Sequence, residues 1–291
     1  MRAPVITEVS DTALWVATYR AQESERPDAL FRDPLAQRLI GERGEKIGAG
    51  LSRSKYSRWA VVTRTCIIDH IIRELVQDQV DTVVNLGAGL DTRPYRLEVP
   101  ESLRWVEVDY PHLIRYKEDC LTGAQARCRL ERIGLDLADP LARLELLARL
   151  GSQSKRALIL TEGVTPYLSN DEVAGLASDL RRQESFRFWI VDHHPPTVRR
   201  QMTSPNRMRE LANAPVRFAP NDWVAFFLER GWVARERRYL GEESQRLGRP
   251  IPMPWWARLL QLLPGSSYLK ARLRLSAYVL LVPKEIGAST P

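Results

Sequence analysis

Residues 82–93 read TVVNLGAGLDTR. Thr82 to Leu86 is a short apolar, β-branched run, and Gly87-Ala88-Gly89 follows it at once. The run predicts a buried strand. The two glycines predict a backbone that turns tightly and approaches a ligand closely. The same unit recurs further along. Leu103–Val108 predicts a second strand, running into Asp109. Arg129–Ile133 predicts a third, ending in Gly134-Leu135-Asp136-Leu137. Ala157–Thr161 predicts a fourth, ending in Glu162-Gly163, and Phe186–Val191 a fifth, ending in Asp192-His193-His194. Helical stretches fall between them at 92–97, 111–121, 139–150 and 170–183. Strands alternating with helices predict an α/β fold, a parallel sheet with helices on both faces.

The flanks read differently. Residues 10–25 predict a helix capped by Ser10 or Asp11, and Asp33-Pro34 opens another, since Pro suits a first helical turn. Residues 42–54, rich in Gly and Arg, predict a loop. From Tyr56 to Gln79 the residues Trp59, Val62, Cys66, Ile67, Ile71 and Leu75 recur at helical spacing. Beyond Pro195 helices are predicted at 197–213 and 221–230, a strand at 232–239, a Pro- and Trp-rich helical stretch at 250–274, and a last strand from Leu275 to Val282. The expected organisation is one domain, 1–291. Within it 1–80 form an N-terminal helical cap, 81–194 the cofactor-binding core, 195–275 a substrate-covering segment and 275–283 the last strand.

In open α/β sheets ligands sit at the carboxyl ends of the strands, so the residues there are the candidate site. The glycines alone fit an ordinary strand-to-helix turn as well as a ligand loop. Asp109 lies about 20 residues beyond them, where a carboxylate accepts hydrogen bonds from ribose hydroxyls; it also fits a helix cap before Pro111. Together the two features favour an adenosine-containing cofactor. Asp136 and Leu137 fit adenine, the carboxylate accepting from the exocyclic amine and the apolar side chain covering the ring, or else a cap for the following helix. Glu162 falls in the middle of the predicted site, and a buried carboxylate there needs a cationic or donor partner, an amino-acid ammonium or a neighbouring Arg. NAD stays open on these features, but position 92, where the dinucleotide fingerprint has its third glycine, is Thr.

The 291 residues are 44% hydrophobic and 27% charged, as in soluble globular chains, which excludes extended disorder and coiled-coil or collagen-like architectures. No apolar run reaches the ~20 residues that span a bilayer. The N-terminus turns polar before any signal-peptide core forms, which predicts a cytoplasmic chain with no membrane partner. Cys66, Cys120 and Cys128, with His70, His112, His193 and His194, match no metal-ligand spacing, so no metal is expected. The formal charge of +7 raises nucleic acid as a partner, but the basic residues are dispersed among acidic ones.

NLGAGLDTRPYR, VEVDYP, GLDL and LTEGVTPYL together resemble the leucine carboxyl methyltransferase family, most of all its bacterial branch of S-adenosylmethionine-dependent O-methyltransferases that act on polyketides and similar secondary metabolites. The resemblance extends upstream to ATYRAQES, LFRDPLA and YSRWAVVTRT, and downstream, more faintly, to FAPNDWVAFFLERGW and EESQRLGR. It implies a class I methyltransferase fold, a Rossmann-like, mostly parallel seven-stranded sheet with a helical cap, and S-adenosyl-L-methionine as cofactor. It implies that Gly87 and Gly89 pass under the methionine part, that Asp109 holds the ribose, that Asp136 and Leu137 bind adenine, and that Glu162 lies beside the methionine portion and the sulfonium. Arg64 would bind the cofactor carboxylate and the substrate; Arg20 is a looser carry-over. For Arg93, which also matches, a structural salt bridge is expected.

The implied reaction is methyl transfer to an oxygen of a small-molecule acceptor. A carboxylate acceptor is already ionised and needs only an orienting cation, for which Arg64 and Arg20 are the candidates. A phenol or alcohol needs a base, for which His193 or His194 is the candidate. Tyr167 is expected to line the acceptor pocket, and Trp223, Phe226, Phe227, Trp255 and Trp256 to supply pocket or lid surface or, as the plainer reading for Phe226, packing against the sheet. Protein carboxyl methylation and RNA methylation are the rivals. Enzymes acting on exocyclic amines carry [DN]-P-P-[YF] after the fourth strand, where this chain has Thr161-Glu162-Gly163-Val164-Thr165. A non-catalytic nucleotide-binding protein is the rival from another class.

Overall fold

The computed structural model describes residues 9–51, 55–202, 215–252 and 273–285. The elements of the sheet region follow the predicted alternation: β1 (Thr82–Leu86), β2 (Arg104–Asp109), β3 (Arg129–Gly134), β4 (Ala157–Thr161), β5 (Phe186–His193), β6 (Trp232–Tyr239) and β7 (Ala277–Pro283). They form one seven-stranded sheet in the order β3-β2-β1-β4-β5-β7-β6. β3, β2, β1, β4 and β5 pair in parallel. Every residue of β1 and β4 is buried, as strands covered on both faces require. That is why both read as continuous apolar runs and not as alternating ones.

The chain steps outward from β1 to β2 and β3 on one side, and from β4 to β5 on the other. The order therefore reverses between β1 and β4, and a crevice opens beyond their carboxyl ends. Side-by-side pairing of the two strands ends at Asn85 and Leu160.

The helices are α1 (Val9–Ser24), α2 (Pro34–Leu51), α3 (Lys55–Gln77), α4 (Arg93–Arg96), α5 (Pro111–Cys120), α6 (Pro140–Ser152), α7 (Asn170–Arg181) and α8 (Pro196–Met202), with short helices at Trp223–Leu228 and Leu240–Arg246. α1 begins at Val9, so Ser10 and Asp11 lie inside it and do not cap it. The Asp33 cap is formed: its Oδ1 accepts from the Ala36 N–H at 3.1 Å.

The loop expected at 42–54 is helical as far as Leu51. Its glycines were the reason to expect a loop, and tertiary packing overrides them. Gly41 takes φ 51° and breaks the axis. Just past this break Gly44 sits against α2's own Ile40, whose Cβ a methyl there would meet at 2.7 Å, and its carbonyl accepts from Thr18 Oγ1 of α1 at 3.2 Å. The stretch predicted helical at 250–274 falls for the most part outside the described residues, and Trp255 and Trp256 with it.

The chain divides into two compact units: Met1–His70, His193–Asn213 and Arg238–Tyr278; and Ile71–Asp192, Ala214–Arg237 and Val279–Pro291. In the first, the buried Arg20 Nε donates to Asp33 Oδ2 at 2.8 Å, and Trp59 Nε1 donates to the Arg249 carbonyl at 2.9 Å. In the second, β5 carries a packed aromatic group. Trp189 meets Phe227 and Trp232 edge-on, each with ring centroids 5.4 Å apart. Phe227 and Trp223 are buried there, 4.5 Å apart. These two are core side chains and not lid surface, because β5 has an apolar face to cover and the helix Trp223–Leu228 covers it. Phe226 packs edge-on against Phe218 and Phe227, with the Arg230 guanidinium 3.9 Å above its ring.

Candidate functional site at the carboxyl ends of the strands

The second unit brings the predicted loops together at one end of its sheet. After β1, Gly87 and Gly89 take φ 68° and 48°, left-handed values that other residues adopt at a cost. Gly87 N–H and Ala88 N–H both donate to the Val108 carbonyl, at 2.8 and 3.1 Å. This folds the glycine loop over the end of β2. There Asp109 Oδ2 accepts the Gly89 N–H at 2.6 Å, and Oδ1 accepts the Tyr110 N–H at 2.7 Å. Asp109 is the last residue of its strand and is buried. It does not cap α5, whose N-cap Tyr110 has no side-chain cap bond. Burial pushes the Asp109 carboxyl above its ordinary value; the two N–H donors and the charges of Lys117 and His112 pull the other way. Its oxygens keep lone pairs that ribose hydroxyls can fill.

Asp136 follows β3 in the turn Leu135–Asp139. Its Oδ1 accepts the Ala138 N–H at 2.9 Å. The cap of α6 is a different residue, Asp139, which accepts from Leu141 and Ala142. Asp136 is exposed and Leu137 is half-buried, so both side chains remain available at this edge. Arg143 steadies the turn by donating to the Leu137 carbonyl at 2.7 Å. Tyr110 was missed in the sequence. Its ring is 40% exposed and stacks on His112 at 5.7 Å, 17° from parallel. Its phenol is pushed above its ordinary value by burial and by the charges of Asp136, Asp109 and Glu172. An aromatic residue directly after the carboxylate that ends β2 was the signal that could have found it.

After β4, Gly163 takes φ 68°, and its N–H donates to Asp192 Oδ2 of β5 at 3.0 Å. Glu162 Oε2 accepts from Arg93 Nη1 at 2.8 Å, so the partner that a buried carboxylate requires is an arginine, and Arg93 forms the salt bridge expected of it. Tyr167 ends the 3-10 turn Thr165–Tyr167 and is half-buried. The Pro166 carbonyl of that turn accepts the N–H groups of Arg217 and Phe218, at 2.7 and 3.2 Å. Gly87, Gly89, Asp109, Asp136, Leu137 and Glu162 thus share one end of the sheet.

Arg64, Arg20 and His194 belong to the first unit, as does His193, the last residue of β5. His194 Nδ1 lies 3.1 Å from Ser276 Oγ. Burial, then the charges of His193, Arg64 and Arg199, hold its pKa down to about 4. A cavity of about 870 Å³ lined by Lys155, Arg156, Arg182 and Arg187 lies at the opposite ends of β4 and β5, away from these loops. No helix among the described residues is long and apolar enough to cross a membrane.

The site has the means to hold S-adenosylmethionine. The glycine loop turns at two left-handed residues over the end of β2, and Asp109 and Glu162 have the chemistry to accept from hydroxyls and from an ammonium. Comparison with known proteins bears on the family and the cofactor. Residues 13–181 match the model of the leucine carboxyl methyltransferase family. A protein of Streptomyces coelicolor, named as an S-adenosyl-L-methionine-dependent methyltransferase, is 35% identical over 82% of this chain and 88% of its own. One of Frankia alni, named likewise, is 29% identical over 84% and 90%. Among solved structures, a methyltransferase of Thermobifida fusca superposes with TM-score 0.56 at 17% identity, covering 97% of this chain and 96% of that one.

Proposed function

This chain belongs to the leucine carboxyl methyltransferase family and is an S-adenosylmethionine-dependent methyltransferase, and from that premise we propose that it methylates an oxygen, a carboxylate oxygen in the first place, of a small metabolite such as a polyketide. In support of that choice, burial and the neighbouring His193, Arg64 and Arg199 lower the pKa of His194 to about 4, which leaves its imidazole a weak base toward a phenol or alcohol. A carboxylate acceptor asks for no base.

When bound, the cofactor supplies an electrophilic methyl group on a sulfonium. The chain supplies placement. Asp109 accepts from the ribose hydroxyls while it keeps the Gly89 and Tyr110 N–H groups. Tyr110 and Leu137 offer apolar faces to the adenine, and Asp136 an acceptor for its amine. The glycine loop would pass beside the methionine chain, and Glu162 would receive its ammonium. Arg64 takes a carboxylate by its forked donors, on the strength of the family likeness. Tyr167 lines the acceptor side. His193 is the group left to move a proton should the acceptor be a hydroxyl.

The test is transfer of a labelled methyl group to paired acceptors, each pair sharing one skeleton and differing as carboxylic acid or phenol. Preference for the acids, with a rate level from pH 6 to 8, is the expected outcome. Preference for the phenols, with a rate that climbs through an imidazole titration, would overturn the carboxylate reading. Labelling of a protein or RNA but of no small molecule would overturn the small-metabolite reading.

A further inference from the structure

Arg93 ties together the two loops that flank the crevice. Its Nη1 donates to Asp91 Oδ2 at 2.8 Å and to Glu162 Oε2 at 2.8 Å. Its backbone N–H donates to Asp91 Oδ1 at 3.0 Å, and Asn85 Nδ2 of β1 donates to Asp91 Oδ2 at 2.9 Å. Arg93 and Asp91 are buried and Glu162 nearly so, with side chains 3%, 10% and 13% exposed. One guanidinium thus joins the end of β1, the loop after it and the loop after β4.

Two physical arguments give this arrangement a purpose. First, the ladder between β1 and β4 ends at Asn85 and Leu160. Beyond it the separation of the two loops is left to side chains, and the Asp91–Arg93–Glu162 bridge spans the gap. Second, a buried carboxylate stays ionised only beside a positive charge or several donors. Asp91 and Glu162 both accept from this one guanidinium, whose positive charge favours the ionised form of each, the form that can receive an ammonium.

We propose that Arg93 is a positioning residue for the methionine end of the cofactor. It acts through Glu162, and it sets both the place and the charge of the carboxylate that receives the ammonium. The proposal rests on the reading of Glu162 as the residue beside the methionine portion.

The experiment titrates two ligands by calorimetry. S-adenosylhomocysteine carries the amino-acid end; 5′-methylthioadenosine has the same adenine and ribose without it. Arg93→Met is expected to weaken S-adenosylhomocysteine by roughly 30- to 100-fold, as for a lost charge-assisted contact. It should leave methylthioadenosine within about threefold, because the Asp109 end is untouched. Arg93→Lys, which keeps the charge, should recover most of the loss, and Asp91→Asn should repeat it in part. Equal weakening of both ligands would make Arg93 a support of the fold alone and overturn the proposal; so would no change in either. Should Arg93→Met fail to fold, Arg93→Lys and Asp91→Asn carry the same comparison. Asp109→Ala must weaken both ligands. If it weakens neither, or the wild type binds neither, the underlying reading of the site fails, and that outcome is distinct from selective or unselective loss at Arg93.

Discussion

Gly87 and Val164 face each other across the crevice between β1 and β4, so closely that a methyl group on Gly87 would lie 2.3 Å from Val164 Cγ2. The glycine is therefore required twice, once for its φ of 68° and once for the missing side chain.

Gly87→Ala should destabilise the protein by about 2–4 kcal/mol, from left-handed strain and overpacking together. In a Val164→Ala background the overpacking part should vanish and the strain remain. Urea unfolding of the four proteins reads this. An equal cost in both backgrounds would show that the contact with Val164 does not matter.

Asp109→Ala should weaken S-adenosylhomocysteine by about 1–3 kcal/mol, the worth of charge-assisted hydrogen bonds. The pH dependence has a definite sign. Burial raises the folded pKa of Asp109 above the ordinary 3.8, so its contribution to stability is full below 3.8 and is lost as pH rises through the folded value. Ribose hydroxyls donate to the ionised form. Affinity should therefore be level near neutrality and fall on acidification, with protons released on binding. Titration in buffers of different ionisation enthalpy measures the release. Undiminished proton release in Asp109→Asn would contradict the assignment.

Lys117 and Glu107 form an ion pair at 2.8 Å with both side chains fully buried, and Arg132 holds the second Glu107 oxygen at 2.9 Å. Lys117→Met should cost about 3–5 kcal/mol, since it strips a buried carboxylate of one of its cations. Adding Glu107→Gln should return part of that cost. Strict additivity of the two changes in denaturant unfolding would argue that the pair is not coupled.

His194 should not titrate near pH 6.5. Its folded pKa of about 4 lies below the unfolded 6.5, so its contribution to stability is present above 6.5 and is lost as pH falls toward 4. The groups whose charges act on it are His193, Arg64 and Arg199, with Ser276 Oγ at its Nδ1. Its ring proton signals should stay constant between pH 5.5 and 8 in a nuclear magnetic resonance titration. His194→Gln should flatten the acid limb of the stability curve. A midpoint near 6.5 would mean that the ring is solvated.

How far each feature could be read depends on how local its physics is. The central strands β1 and β4 were legible because burial on both faces demands uninterrupted apolar runs, as in Val83-Val84 and Leu158-Ile159-Leu160. The positions of Gly87, Gly89, Asp109, Asp136 and Glu162 were legible because each directly ends or follows a strand, and the ends of parallel strands meet at one edge. The helix through 42–51 was not, because its glycines predict a loop and only tertiary packing holds them in a helix. The aromatic residues 223–227 promised a pocket, and only the bare face of β5 shows that two of them are core.

By itself the sequence determined the class of fold, the order of its strand ends and the chemical character of each, because periodicity and chain direction are properties of neighbouring residues. Only the tertiary structure decided which charges meet. Arg93 and Glu162 lie 69 positions apart, and Lys117 finds Glu107 across ten. A carboxylate brings no partner with it in the chain; the partner is set by which loops the sheet order places side by side, and that is a property of the folded whole.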